Sequence, residues 1–153
     1  LEEKRKKGIF SITDQNMTRF NITMAESIDF ILFCLKKMQG GEIFVPKIPS
    51  YRLIDLVRAV SESSNPKINL IGIRPGEKMH EEMISVNDAL NTIEFENYYV
   101  IVPSSYTTKW SYKRYLTENK SAKKCPQGFS YSSENNKKFL TIKEIKNLIK
   151  NNL

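Results

Sequence analysis

A chain of 153 residues, 40% hydrophobic and 27% charged, has the size and balance of a single soluble globular domain, which excludes disorder throughout and a second full-sized core. Its formal charge of +7 comes largely from lysines gathered near the two ends, without aromatics interleaved along one face, so nucleic acid is not an expected partner. No run approaches the roughly eighteen apolar residues of a membrane helix and no apolar leader opens the chain, so no membrane partner is expected and the cytoplasm is the expected compartment.

In chain order, Glu2 to Gly8 reads as the solvated last turn of a helix ending in glycine, which creates the expectation of a chain that has lost its beginning. Ile9 to Ile12 alternates as a short strand, and Thr13-Asp14-Gln15-Asn16 is a polar turn cluster. Thr23 and Glu26 stand at capping-box spacing before a helix whose Ile28, Ile31, Leu32, Leu35 and Met38 share one face, until Gly40-Gly41 stops it. Glu42 to Val45 is a brief strand closed by Pro46, and Ser50 is placed to cap the next helix, striped by Leu53, Leu56, Val57 and Val60. After a turn at Ser63 to Pro66, the strand Ile68 to Ile73 delivers the chain to Arg74.

His80 to Met83 suits a short helix, and Tyr98 to Val102 a strand ended by Pro103. Residues 104–136 are polar and irregular, with aromatics such as Trp110 and Phe129 that should pack. A capping box at Thr141 and Glu144 opens a final helix that buries Ile142, Ile145, Leu148 and Ile149. The alternation of helix and strand predicts an α/β fold, with a main portion over 1–103 and a C-terminal extension over 104–153. Cys34 and Cys125 show no zinc spacing and no pairing that the sequence requires; His80 beside Glu81 and Glu82 makes neither a metal site nor a catalytic dyad, and that stretch is expected to be a surface face.

The segment with the most chemical content is Arg74-Pro75-Gly76-Glu77-Lys78. It follows a strand, where α/β proteins place ligand contacts. Arginine offers a planar fork of donors to phosphate, Pro75-Gly76 makes a tight turn, and Glu77 accepts from vicinal hydroxyls. Two readings stand open for this turn: a contact for a nucleoside diphosphate, or a surface turn closed by an Arg–Glu ion pair. Arg19 likewise either approaches the same phosphates or lays its stem over Phe20.

Several blocks together resemble the configuration-inverting nucleotide-sugar 4,6-dehydratases of bacterial surface-glycan and flagellin-glycan synthesis: Ile12-Thr13-Asp14 with Met17-Thr18-Arg19-Phe20, Gly41 to Ser50, Ile71 to Lys78 with His80 to Ser85, and Gly128 to Ser133. The resemblance implies the C-terminal, substrate-binding part of an extended short-chain dehydrogenase/reductase fold, with most of the dinucleotide-binding sheet absent from this chain. It implies that Arg19 and Arg74 hold the diphosphate of a UDP-sugar, that Glu77 binds the uridine ribose, and that Met17 lies among the substrate contacts. It also implies NADP as the cofactor of the parent enzyme, a Rossmann half as partner, and a homo-oligomer.

The rest of that family's machinery is missing: no Gly-x-x-Gly-x-x-Gly follows a strand and no tyrosine precedes a lysine by four residues. No catalytic, cofactor-binding or metal residue is therefore assigned, and the chain alone is expected to be inactive. With half the sheet absent it is expected to expose apolar surface. A fragment of a related UDP-sugar 4-epimerase or reductase, and a non-catalytic UDP-sugar-binding or interaction remnant, are the alternatives.

Overall fold

The computed structural model describes residues 8–103, 113, 116 and 122–152. The helix ending expected before Gly8, and most of the polar stretch 104–121 with Trp110, lie outside the described residues. In chain order the elements are β1 (Ile9–Ile12), β2 (Thr18–Phe20), α1 (Met24–Lys37), β3 (Ile43–Pro46), β4 (Ser50–Arg52), α2 (Leu53–Val60), β5 (Lys67–Leu70), β6 (Glu82–Ile84), α3 (Val86–Ala89), β7 (Thr92–Glu94), β8 (Tyr98–Ile101), β9 (Lys123–Lys124), β10 (Tyr131–Ser132) and α4 (Ile142–Asn152). They separate into one unit drawn from Leu1–Asn21, Ile48–Glu81 and Ser132–Leu153 and another from Ile22–Lys47 and Glu82–Tyr131.

In the first unit β1 pairs in parallel with β5, Ile9 opposite Lys67 and Ile12 opposite Leu70. The ladder runs on past the strands: Lys67 N–H donates to Gly8 O at 2.7 Å, Ile71 N–H to Ile12 O at 3.0 Å and Gly72 N–H to Thr13 O at 3.2 Å. Gly8 stands at a φ of +61°, and a β-carbon there would come within 2.8 Å of Ser63 Cβ, so both conformation and space require glycine. Next to this, β2 and β4 pair antiparallel, Thr18 opposite Arg52 and Phe20 opposite Ser50.

Helix α4 is capped as expected, with Thr141 N–H donating to Glu144 Oε2 at 2.8 Å and Glu144 N–H to Thr141 Oγ1 at 3.3 Å. It packs on α2, where buried Ala59, Leu140 and Ile145 form a core flanked by Tyr51, Leu56, Ile142, Leu148 and Ile149. Ser50 does not cap α2. It sits fully buried in β4, its hydroxyl accepting from Asn136 Nδ2 at 2.9 Å, while the cap position is Arg52, which makes no side-chain cap bond. The extended pairing with β2 places the serine too early in the chain to turn into the helix.

The second unit is built on an antiparallel sheet in the order β3-β8-β7-β9. Ile43 faces Ile101, and Ile93 faces Val100. Ile93 and Val100 are fully buried and, with Phe95 and Val102, make the core of this unit. Helix α1 begins with the expected capping box, Thr23 N–H donating to Glu26 Oε2 at 2.8 Å and Glu26 N–H to Thr23 Oγ1 at 3.2 Å. One aromatic face lies on the sheet, with Phe33 edge-on to Tyr98 at 5.0 Å between centroids. Its aliphatic stripe is bare: Ile28 is 50% exposed, Ile31 57% and Leu35 62%. In the first unit Leu70, Ile71 and Ile73 are exposed as well, which is the open apolar surface an incomplete sheet leaves. No helix among the described residues is long and apolar enough to cross a membrane.

Both cysteines are free thiols. Burial, aided by the nearby Glu94 carboxylate, pushes the Cys125 thiol up to about 11. Glu94 itself joins Lys47, at 2.8 Å, and Lys123, at 3.4 Å. Burial alone would raise its carboxyl, but the hydrogen bond and charge of Lys47, with Lys123, hold it below its ordinary value of 4.5.

In urea unfolding, Ile93→Ala should cost about 2–5 kcal/mol through the cavity it leaves. Ile31→Ala on the bare stripe should change stability by no more than about 0.5 kcal/mol. Since the folded Glu94 is the stronger acid, its stabilisation is present above its ordinary value of 4.5 and is lost as pH falls through the lower folded value. A Lys47→Met variant should accordingly show a shallower acid-side loss of stability than wild type in urea midpoints measured from pH 6 downward.

Candidate substrate-binding turn

Beyond β5 the chain leaves the ladder at Gly72, which has a φ of +80°, and reaches Arg74 after one more apolar residue. Glu77 N–H donates to Arg74 O at 3.0 Å, closing a four-residue turn. Proline at its second position and Gly76 at φ +81° at its third are the signature of a type II turn. A β-carbon on Gly76 would meet nothing within 4 Å, so glycine is required here for its backbone conformation alone.

The turn orients its two charged side chains differently. Glu77 is folded back: Thr13 Oγ1 donates to its Oε1 at 3.0 Å and Arg74 N–H to its Oε2 at 3.3 Å. Each oxygen keeps lone-pair capacity for another donor. Arg74 is exposed, and among the described residues its guanidinium makes no hydrogen bond or ion pair. The Arg–Glu ion pair that was one reading of this turn is therefore not formed. Arg74, Thr13 and Ser11 also stand at an open groove of about 330 Å³ between β1 and α2, otherwise lined by apolar side chains including Phe10, Ile12, Leu56 and Val57.

Arg19 has another job. Its Nη1 donates to Thr18 O at 2.7 Å and Met79 O at 3.1 Å, its Nη2 to Lys78 O at 2.9 Å, and its Nε lies 3.6 Å from Glu81 Oε1. Three of the five guanidinium N–H donors of Arg19 are thus directed to backbone carbonyls, two of them in the segment leaving the turn. Met17 is a core residue, only 1% exposed, with its carbonyl accepting from Leu53 N–H at 2.9 Å.

The expected short helix at 80–83 is replaced by an extended segment running into β6. Glu81 and Glu82 thus point opposite ways, Glu82 outward and Glu81 to Phe20 N–H, which it accepts at 3.1 Å. His80 bonds Thr18 Oγ1 through Nδ1 at 2.8 Å, and its Nε2 lies 3.6 Å from Glu134 Oε1. Among the described residues no cluster of His, Cys, Asp and Glu could hold a metal ion.

The parallel strand pair of this α/β chain thus ends on a turn whose arginine is unpaired among the described residues and whose carboxylate is tethered by Thr13. The family described as polysaccharide biosynthesis protein matches residues 2–103, and the chain belongs to it. It is 45% identical over 139 residues to the UDP-N-acetylglucosamine 4,6-dehydratase (inverting) of Campylobacter jejuni, an overlap of 90% of this chain and 41% of that protein. It is 33% identical over 141 residues to the UDP-glucose 4-epimerase of Rickettsia akari, covering 91% of this chain and 40% of the relative. The X-ray structure of Pen from Bacillus thuringiensis superposes with a TM-score of 0.73 at 30% identity, over 98% of this chain and 43% of that one. The chain thus spans about two-fifths of the relatives it matches, and its architecture is the partial short-chain dehydrogenase/reductase fold that the sequence led one to expect.

Gly76→Ala, which places a β-carbon at positive φ, should lower stability by about 1–2 kcal/mol in urea titration, although no neighbouring atom would clash.

Proposed function

We propose that this chain is the UDP-sugar-binding part of a cytoplasmic, C5-inverting UDP-N-acetylglucosamine 4,6-dehydratase of bacterial glycan synthesis. The observation that carries the reading is the exposed Arg74 guanidinium, unpartnered among the described residues, beside a Glu77 carboxylate held in place by Thr13. Arg74 takes the diphosphate, since a planar fork of donors matches phosphate oxygens. Glu77 accepts the ribose hydroxyls with its remaining lone pairs. The groove beside them offers apolar walls for the flat faces of the nucleoside.

The reaction itself belongs elsewhere. The residues present do not supply a phosphate-cradling glycine loop or a Tyr-x-x-x-Lys pair, so NADP and both hydride steps are assigned to a Rossmann half that this chain needs as its partner. That partner would also cover the bare apolar surface of both units. Homo-oligomerisation belongs to the same assembled enzyme.

A related UDP-sugar 4-epimerase or reductase is the second reading, favoured by the 33% identity to the Rickettsia akari epimerase, because one diphosphate turn serves either chemistry. A non-catalytic UDP-sugar-binding or interaction remnant is the third. Titration calorimetry with UDP tests the site: Arg74→Ala and Glu77→Ala should each weaken binding by about 1.5–3 kcal/mol, roughly tenfold to over a hundredfold. Unchanged affinity in both variants removes the assignment. Assay of the chain combined with the unmatched portion of the Campylobacter jejuni dehydratase then separates the chemistries, loss of the C6 hydroxyl marking the dehydratase and C4 inversion alone the epimerase.

A further inference from the structure

The turn that carries Arg74 is anchored at both ends, and the two anchors differ in kind. Upstream, the β1–β5 ladder holds the chain as far as Gly72. Downstream, the segment Lys78 to Glu81 is held by a clasp of polar groups from two distant parts of the chain. Arg19 takes the carbonyls of Lys78 and Met79. Thr18 N–H donates to Met79 O at 3.1 Å, and Thr18 Oγ1 holds the His80 ring. Ser133 takes Glu81 from both sides, its N–H donating to Glu81 O at 2.7 Å and its Oγ accepting from Glu81 N–H at 2.9 Å.

Ser133 and Thr18 complete the clasp, because their hydroxyls bond each other at 2.7 Å across 115 positions of sequence. Both are shut away from water: Ser133 is 0% exposed and Thr18 4%. The connections run without a break: Glu81 N–H donates to Ser133 Oγ, the Ser133 and Thr18 hydroxyls bond each other, and Thr18 Oγ1 bonds His80 Nδ1, whose Nε2 faces Glu134. A continuous run of buried hydrogen bonds reinforces itself, and a member deleted from it leaves a neighbour unsatisfied with no water to replace it.

We propose that Ser133, through Thr18, is a positioning residue for the Arg74–Glu77 ligand turn, so that the C-terminal segment around residues 132–134 sets how tightly that turn is held. This rests on the reading of Arg74 and Glu77 as ligand contacts, but hydrogen exchange tests the clasp without any ligand. Between the ladder and the clasp, the turn has its own closing bond and the Thr13–Glu77 bond. Loss of the Ser133 hydroxyl therefore loosens the downstream end of the segment from Glu77 to Glu81, while the Arg19 and Thr18 bonds to Lys78 and Met79 keep it from detaching. Neither Ser133 nor Thr18 touches the exposed face of Arg74, so their effect on a ligand is indirect.

The test is amide hydrogen exchange on the 153-residue chain, with UDP titration alongside. Ser133→Ala and Thr18→Val should speed exchange over residues 77–82 by about three- to tenfold, the range expected for losing one buried hydrogen bond. Exchange in α4 should stay unchanged, and Thr18→Ser, which keeps the hydroxyl, should restore protection. UDP affinity in Ser133→Ala should fall by a similar factor, and this loss should vanish when Arg74→Ala is already present. Unchanged exchange over 77–82, or an equal rise throughout the chain, overturns the proposal, as does full UDP affinity in Ser133→Ala. Should the wild-type chain bind no UDP, the ligand reading of Arg74 fails while the exchange data still decide whether the clasp holds the turn.

Discussion

The parallel pairing of Ile9–Ile12 with Lys67–Leu70 is the constraint on which the first unit turns. Parallel strands cannot be joined by a hairpin, so the chain must travel through a long crossover before it returns beside β1. The return brings Ile71 and Gly72 onto Ile12 and Thr13, and from there both members of the site are determined. Thr13 ends β1 within reach of Glu77, and Arg74 leaves the ladder where nothing in the described chain meets its charge. A slip of one residue in this register would turn the inward face of β1 outward and separate Thr13 from Glu77.

Both units combine apolar packing with buried hydroxyls. The second sets Ile93 and Val100 beside the fully buried Thr92 and keeps its charges at the edge, where Lys47 and Lys123 share Glu94. The first packs Ala59, Leu140 and Ile145 together and encloses Ser50, Thr18 and Ser133 almost wholly. Buried polar groups cost stability unless each is bonded, and here each is. Such bonded groups tolerate fewer arrangements than apolar ones, which fixes the segment around Met79 to Glu81 in one place.

Apolar surface left open in both units, along Ile28, Ile31 and Leu35 and again at Leu70 to Ile73, matches a chain that spans about two-fifths of its relatives. A helix with an aliphatic stripe on one side and aromatics on the other can satisfy both only when something lies on each face. Here the aromatic side has the sheet, through Phe33 and Tyr98.

Local rules made much of this chain legible from its sequence. The capping boxes at Thr23 and Thr141 and the Pro75-Gly76 turn each depend on residues a few positions apart, so spacing alone determines them. Short strands such as β2, β4 and β6 were not legible, because three residues carry too little pattern and take their extended form from partners far along the chain. The same reason separates Arg74 from Arg19. Both are arginines near polar loops, and only tertiary packing brings the carbonyls of Lys78 and Met79 to Arg19 while Arg74 meets no partner among the described residues.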